Sequence, residues 1–485
     1  MFGYTTLSLK VILRGEALKN IIFKLLLHAL FLTIIVSAQD YKANAFAINN
    51  GVLPLKSDYS GTLFQFHHNY PTEYIKAIST PWSDVLKGRP LSKKNAHAYV
   101  LALKKHVKKS LKSFLDNPEK WNSSRQRGWY SMLWAGDAVE KTGWEGRDAI
   151  YGTYTGQIMA KEVYAKSGLT VDIRNHAGIY YNEIAAYTLH RVWQKCDKKT
   201  KECIPSVEHG EAQFAEGSII VKAAGVTATP EQWPVLKGAA KWQVYRKPFD
   251  LNGTIVDEKP RVTDLRVGIF DIIIKDSVAS PKTGWVFSTL VYDSNASGDS
   301  VWDRMVPLGA IWGNDPDVNS AKYPNQELME NYINPNAPAW TKVTLGYGGR
   351  MAGPFDIAVK YNVKVGGKNV TALPSSSCLS CHGTSSYISN NYHMSTFLYP
   401  AKDYKTKPWK MYTPGSAEWN EWFQDRAGDE PQSKEKGAIA LDYSTFLEAA
   451  IMNYAAENTS ETEISKDMFL KWKAYRNFSS ANSSH

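Results

Sequence analysis

The chain has 485 residues, enough for two or three domains with full-sized hydrophobic cores. Hydrophobic residues make up 43% and charged residues 21%, which argues against extensive disorder. The formal net charge is +10, but no Arg-rich tract accompanies it, so nucleic-acid binding is a poor interpretation.

Residues 1–38 have the features of a secretory signal peptide. Basic residues precede an apolar run from Ile21 to Val36, and small residues typical of a cleavage site end at Ala38. The run is shorter than the roughly 20 apolar residues of a spanning helix. We therefore expect the leader to be cleaved and the mature protein to be exported, most simply to a bacterial periplasm. An uncleaved membrane anchor is the alternative.

A mainly helical region is predicted for residues 39–210. Its clearest helix runs from Lys93 to Phe114, because apolar residues recur at helical spacing while lysines occupy the other faces. We interpret the lysine-rich face as a solvated surface, with docking of a partner as the alternative. A second helix is predicted for Ile179–Trp193.

Residues 211–365 have the pattern of a β-rich domain. Short segments rich in Val, Ile, Trp and Tyr alternate with Gly, Pro, Asn and Asp turns. Together with the helical region they predict an α+β fold with a central antiparallel sandwich or barrel. The predicted strands are Ser218–Lys222, Lys241–Arg246, Leu265–Lys275, Trp285–Tyr292, Pro307–Trp312 and Thr341–Tyr347.

Two of the four cysteines, Cys196 and Cys203, lie close together across a charged turn. In an oxidising compartment this spacing predicts a structural disulfide. Free thiols or metal ligands are the alternative.

The pattern that carries chemistry is Cys378-Leu379-Ser380-Cys381-His382, within the segment 366–485. In C-x-x-C-H the two thiols add to the vinyl groups of a porphyrin as thioethers, and the adjacent histidine ligates the iron. The sequence therefore predicts one covalently attached haem c, bound by Cys378 and Cys381, with His382 as an axial ligand. A thioredoxin-like C-x-x-C is the competing interpretation, but no βαβ pattern surrounds this one.

The segment from Cys378 to Gly383 resembles the attachment segment of c-type cytochromes. Runs such as Gly284–Phe287 and Trp312–Pro316 also make most of the mature chain similar to large, functionally undefined monohaem proteins exported by bacteria. The resemblance implies a haem c redox protein, but it brings no known reaction with it.

The chain departs from small soluble cytochromes c in what precedes the motif. That family places an amphipathic helix there, whereas residues 364–377 contain helix-breaking Gly and Pro. An uncovered haem edge would be costly in water. We therefore expect the haem-binding segment to be irregular and helical and to dock on the β-rich region, with helices at Tyr443–Ala456 and Lys466–Arg476.

The sixth iron position decides between carrier and catalyst, because a Met or second His there gives an electron carrier and an open position leaves a reactive site. Met411 lies in a loop-like stretch, and His393 and Met394 follow the motif closely; an iron without a sixth protein ligand is the remaining alternative. Asp315 is interpreted as a turn residue that bonds its own backbone, with a place beside the haem as the alternative.

Our leading hypothesis is a redox protein that passes single electrons between its haem and a periplasmic redox partner. The alternative is a haem oxidoreductase whose substrate pocket is formed by the large N-terminal region, and a haem-based sensor is a weaker one. A carrier needs only about 100 residues, which favours the enzyme, but the carrier requires nothing beyond the motif. The sequence contains no nucleophile elbow, phosphate loop, paired carboxylates or zinc pattern.

Overall fold

The computed structural model describes most of the chain between residues 53 and 458. The described residues are 53–76, 80–123, 128–134, 147–196, 203–248, 257, 259–318, 326–355, 361–365, 368–372, 377–388, 393–394, 416–432 and 436–458. Within these, the side chains of 123, 157–158, 195–196, 203, 361–365, 368–372, 393–394, 418 and 455–458 lie outside the description. The expected leader and the expected helix Lys466–Arg476 also lie outside it.

The fold is mixed α/β and is built on one large antiparallel sheet. Its eight strands follow the order β1-β2-β5-β7-β8-β9-β10, and β6 also pairs with β7. Among the described residues the sheet does not close, so neither the expected sandwich nor the expected barrel is confirmed. The strands are β1 Tyr154–Met159, β2 Ile173–Tyr181, β5 Ile219–Val226, β6 Ala240–Arg246, β7 Arg261–Lys275, β8 Trp285–Tyr292, β9 Met305–Ile311 and β10 Asn331–Ile333.

The remaining strands form small sheets. Two hairpins, β3–β4 and β11–β12, stand apart, whereas β14, β13 and β15 form a three-stranded sheet. In the first hairpin Cys196 lies directly opposite Cys203. Their side chains lie outside the description, so the disulfide stays a prediction. These strands are β3 Lys195–Cys196, β4 Cys203–Ile204, β11 Tyr361–Val365, β12 Lys368–Ala372, β13 Ser386–Ile388, β14 His393–Met394 and β15 Ala438–Ala440.

Helices cover both faces of the large sheet. The long helix α2 packs its apolar stripe on one face, where Phe114 contacts Trp242 and Tyr180. Helices α4, α5 and α7 contribute to a second core that includes Phe287 of β8. The helices are α1 Pro81–Leu86, α2 Ala96–Asp116, α3 Pro118–Ser123, α4 Glu183–Trp193, α5 Cys378–His382, α6 Ala417–Trp422 and α7 Thr445–Asn458.

Tertiary pairing corrects the prediction in the first half of the chain. The region expected to be mainly helical supplies β1 and β2, and β2 pairs with β5 across the expected boundary at residue 210. The predicted helix Ile179–Trp193 begins only at Glu183, because Tyr180 and Tyr181 pair with β5. Asn182 then caps the helix by accepting a hydrogen bond from Ala185 N at 2.9 Å.

Five of the six predicted strands are present, and Thr341–Tyr347 is wrong. That stretch is occupied by 3-10 turns at Ala339–Lys342 and Tyr347–Gly349. Thr341 Oγ1 donates to the Pro338 carbonyl and closes a turn, while Trp340 packs against Trp233. Local turn chemistry and aromatic packing therefore override the alternating apolar pattern.

Candidate functional site

The motif forms a single helical turn, α5, whose two sides differ in burial. Ser377 caps the turn, because its Oγ accepts a hydrogen bond from Ser380 N at 2.9 Å. Leu379 and Ser380 are buried, whereas Cys378, Cys381 and His382 are partly exposed. Residues three apart in a helix share a face. The turn therefore carries both thiols on one side, followed directly by the imidazole.

The His382 ring is oriented by a backbone carbonyl from a distant part of the chain. Its Nδ1 lies 2.9 Å from the carbonyl oxygen of Tyr443. A carbonyl can only accept, so Nδ1 carries the proton and donates. In a neutral imidazole, Nε2 is then the nitrogen with a lone pair for a metal.

The segment that supplies this carbonyl is tied to the large sheet. Asp442 and Tyr443 both have left-handed backbone conformations, with φ of 46° and 64°. The fully buried Asp442 carboxylate accepts hydrogen bonds from Lys275 Nζ at 2.7 Å, Trp285 Nε1 at 2.6 Å and Phe214 N at 2.7 Å. These bonds compensate the strain of two non-Gly residues at positive φ and hold the Tyr443 carbonyl in place.

Asn314 holds the buried side of the turn, a role that the sequence did not reveal. Its Oδ1 accepts hydrogen bonds from Ser377 Oγ at 2.6 Å and Ser380 Oγ at 2.9 Å. Its own backbone is held by Asp425, which accepts from Asn314 N at 2.6 Å, and by Arg350, which donates from Nε to the Asn314 carbonyl at 2.7 Å. The two serines at i and i+3 were the available signal, but they indicate only a cap and not its partner.

Aromatic side chains border the partly exposed thiols and imidazole. Cys381 packs against a small cluster of Trp419, Trp422 and Phe423. On the other side the Phe287 ring lies 4.7 Å from the His382 ring, measured between centroids. Cys378 contacts the second core of the sheet. The side of the turn that carries the reactive groups is therefore bordered by apolar surface.

Arg350 places a buried positive charge beneath the aromatic cluster. Its guanidinium lies 4.3 Å from the Phe423 ring centroid and donates to the carbonyls of Tyr347, Asp315 and Val318. Burial lowers the pKa of Arg350 to about 10, which still leaves it charged at neutral pH. The next residue, Met351, accepts the hydrogen bond of Cys378 N at 3.0 Å.

Two carboxylates share one lysine behind Asn314. Lys282 Nζ lies 2.6 Å from Glu330 Oε1 and 3.2 Å from Asp425 Oδ2. Burial, together with the negative charge of Glu330, raises the pKa of Asp425 to about 7. Glu330 also accepts from Asp315 N at 3.0 Å. The pair is thus an ionisable site connected through one residue, Asn314, to the turn α5.

A polar groove of about 610 Å³ lies beside α6. The groove is lined by the loop after β9 and by residues on both sides of Asp425 in the chain. Its lining residues are Pro316, Asp317, Ala417, Asn420, Glu421, Gln424, Arg426, Glu430, Pro431 and Gln432. The two chain neighbours of Asp425, Gln424 and Arg426, thus line the groove.

Asp315 differs from its predicted role as a turn residue that bonds its own backbone. Its carboxylate accepts hydrogen bonds from Met329 N at 2.6 Å and Glu330 N at 3.1 Å, so it joins the loop after β9 to the start of β10. Burial raises its pKa, in spite of these bonds.

The candidate sixth ligands are only partly described. Met411 lies outside the described residues. His393 and Met394 form β14, which pairs with β13 opposite Ile388 and Tyr387, but their side chains lie outside the description. The short hairpin does return the chain toward the motif. The sixth ligand stays a prediction.

The residues present fit a covalently bound haem. Two thiols on one helical face, an imidazole whose Nδ1 proton is engaged, and an apolar aromatic border match the donors and the surface that such a group requires. Among the residues described, no group of three or more His, Cys, Asp and Glu could hold a metal ion by itself. No helix in that part of the chain is long and apolar enough to cross a membrane. Comparisons with known protein families, with curated proteins and with solved structures found no match.

Proposed function

We propose that this chain is an exported monohaem c-type cytochrome, in which Cys378 and Cys381 hold the haem and His382 is an axial ligand. The observation that carries the proposal is the 2.9 Å contact between His382 Nδ1 and the Tyr443 carbonyl. It sets the tautomer that an iron-bound histidine needs, and it occurs in the same turn as the two thiols. The haem supplies a one-electron redox centre.

The docking of the haem segment on the β-rich region is part of this proposal. Phe287 and Trp285 of β8 are the contacts that support it, because Phe287 packs on His382 and Trp285 bonds Asp442. The sheet then takes the covering role of the helix that small cytochromes place before the motif. Before Cys378 the described backbone has the hairpin β11–β12 instead.

Electron exchange with a periplasmic redox protein is the proposed role. Partial exposure of the thiols and of His382 supports it, since an electron carrier needs its redox centre close to the surface. The adjoining groove of about 610 Å³ favours the second candidate, a haem oxidoreductase that binds a small polar substrate. A haem-based sensor has no specific support.

Removing the thiols tests the haem itself. The mature protein should show a haem-stained band on a denaturing gel, and Cys378→Ala together with Cys381→Ala should abolish it without preventing export. The matched control is Cys196→Ala with Cys203→Ala, which should keep the band. A band that persists without Cys378 and Cys381, or no band in the unaltered protein, contradicts the proposal. The absence of a band in the unaltered protein would instead favour the thioredoxin-like interpretation of Cys378 and Cys381.

Optical spectra with and without carbon monoxide separate the two roles. Low-spin bands that are insensitive to carbon monoxide support the carrier and a sixth ligand from Met411, Met394 or His393. Rapid binding of carbon monoxide supports the oxidoreductase. Substituting each candidate ligand by Ala should change the spectrum only for the residue that binds the iron.

A further inference from the structure

A buried acidic pair lies close to the attachment turn but has no part in holding the haem. Asp425 Oδ1 accepts from Asn314 N at 2.6 Å, and Asn314 Oδ1 accepts from the serines that flank and separate the two cysteines. A single residue, Asn314, therefore connects the pair to the turn. A change in its charge would act on the iron through protein, where charges are screened less than in water.

The geometry favours one shared proton in this pair. The side chains of Asp425 and Glu330 are only 6% and 17% exposed, and both approach the same ammonium group, Lys282 Nζ. One cation cannot neutralise two buried carboxylates, and two like charges in one site raise the affinity for a proton. The direction of the Asp425 pKa, raised to about 7 by burial and by Glu330, agrees with this.

Other charged groups face the pair and do not remove the excess negative charge. Arg350 interacts electrostatically with both Asp425 and Glu330, and Asp315 adds a further carboxylate beside Glu330. The Tyr443 hydroxyl donates to the Arg426 carbonyl, and burial raises the pKa of Tyr443, so it stays neutral. Lys282 is 58% exposed, which gives the pair a contact with solvent from which a proton can come.

We infer that Asp425 and Glu330 form a proton-binding site that couples proton uptake to electron uptake. The inference rests on the proposed haem. When a one-electron donor, chemical or protein, reduces the chain, the pair takes one proton from solvent, and it returns the proton on oxidation. The added electron lowers the positive charge at the iron, so the carboxyl pair binds its proton more tightly in the reduced state. Because one electron and one proton enter together, the net charge of the protein does not change.

The test is the reduction potential of the haem-loaded protein as a function of pH. The potential should fall between about pH 6 and about pH 8, because the pair becomes more negative in that window. A tenfold change in the equilibrium constant for electron uptake, which is 59 mV for one electron, is the expected order of the total change. In Asp425→Asn, which keeps an oxygen for Asn314 N, the reduction potential should not change with pH. It should equal the value that the unaltered protein has at low pH, where the pair is protonated.

Two further variants make the result specific. The reduction potential of Glu330→Gln should also be independent of pH, because Asp425 is then the one carboxylate of the pair that Lys282 has to neutralise. Glu327→Gln, an exposed acid three residues away that pairs with Lys93, should keep the slope. A reduced-minus-oxidised infrared spectrum near pH 7 should contain a carboxylic acid band that Asp425→Asn lacks.

Each contrary outcome has a distinct meaning. If the reduction potential of Asp425→Asn still falls with pH, the inference is overturned, whereas the proposed haem is unaffected. A slope that is lost only in Glu448→Gln also overturns the inference and assigns the proton to Glu448, another buried acid near the motif, whose pKa is raised to about 8. A purified protein without covalent haem overturns the inference and the proposed function together.

Discussion

Ser377 and Ser380 share one acceptor, Asn314 Oδ1, so the buried side of the turn α5 depends on a single amide. Both hydroxyls are buried with it, and buried polar groups that lose their partner cost more than the bond itself contributes. The amide belongs to the loop after β9 and not to the motif. Its importance therefore lies in its position relative to the two serines.

Asn314→Ala should destabilise the protein by about 2 kcal/mol, because two buried hydroxyls lose their common acceptor. The free energy of unfolding in urea measures this. The same substitution in a Ser377→Ala, Ser380→Ala background is the control and should cost less than half as much. Equal costs in the two backgrounds would show that Asn314 acts through other contacts.

Glu448 on α7 is a second residue whose environment has a measurable consequence. It is buried, and its Oε1 accepts from Ser386 N at 3.5 Å; burial raises the pKa of Glu448 to about 8. The folded chain thus keeps a proton that the unfolded chain releases above about pH 4.3. Stability should therefore fall as pH rises from about 5 to about 8, by at most about 1.4 kcal/mol per pH unit from this group.

Glu448→Gln should remove that part of the pH dependence. Unfolding free energies of the variant and the parent should converge near pH 5 and separate in favour of the variant near pH 8. Glu327→Gln serves as the exposed control and should follow the parent. Parallel profiles for Glu448→Gln and the parent would mean that the carboxyl is ionised in the folded chain.

Among the elements, β10 links the sheet to the motif. It pairs with β9, where Gly309 lies opposite Ile333. Asn331 Oδ1 accepts from Met351 N at 2.8 Å, and the Met351 carbonyl accepts from Cys378 N. The position of the first cysteine thus depends on strand pairing at the edge of the large sheet.

Gly309→Ala should separate β10 from β9, because a Cβ at this position would collide with the Tyr332 carbonyl oxygen. Overpacking of this kind costs roughly 1–3 kcal/mol. Hydrogen exchange at the amides of Met351 and Cys378 should become faster. Gly88→Ala is the control, since it adds backbone strain where a Cβ meets no other atom and should leave both amides protected. Unchanged exchange in Gly309→Ala would rule out the link.

At the scale of the whole molecule, the large sheet separates two surfaces. The lysine-rich helix α2 packs on one face, whereas the motif belongs to the core of the other. Lys104 and Lys108 contact Asp303 on the α2 side. A redox partner docked on the lysine face would have the sheet between itself and the proposed haem. We therefore expect electron exchange at the exposed side of the motif.

A fragment of residues 364–485 should not form a stable haem-loaded protein. Its apolar residues, among them Leu379, Tyr443 and Leu447, share one core with residues of β2, α4 and β8. Without the sheet this surface would be exposed, at a cost of roughly 25 cal/mol per Å². The fragment, produced with haem-maturation machinery, should load poorly and melt without cooperativity. A soluble, fully loaded fragment with a cooperative transition would show that the segment is an independent module.

The sequence by itself determined the features that depend on neighbours along the chain. These are the pattern of Cys378, Cys381 and His382, the stripe of α2, and the strands whose apolar residues recur locally. The tertiary structure alone decided which groups meet the motif. Tyr443 and Asn314 lie 61 residues or more from the residues they bind. Such contacts follow from strand order and the packing of two cores, which no local spacing encodes.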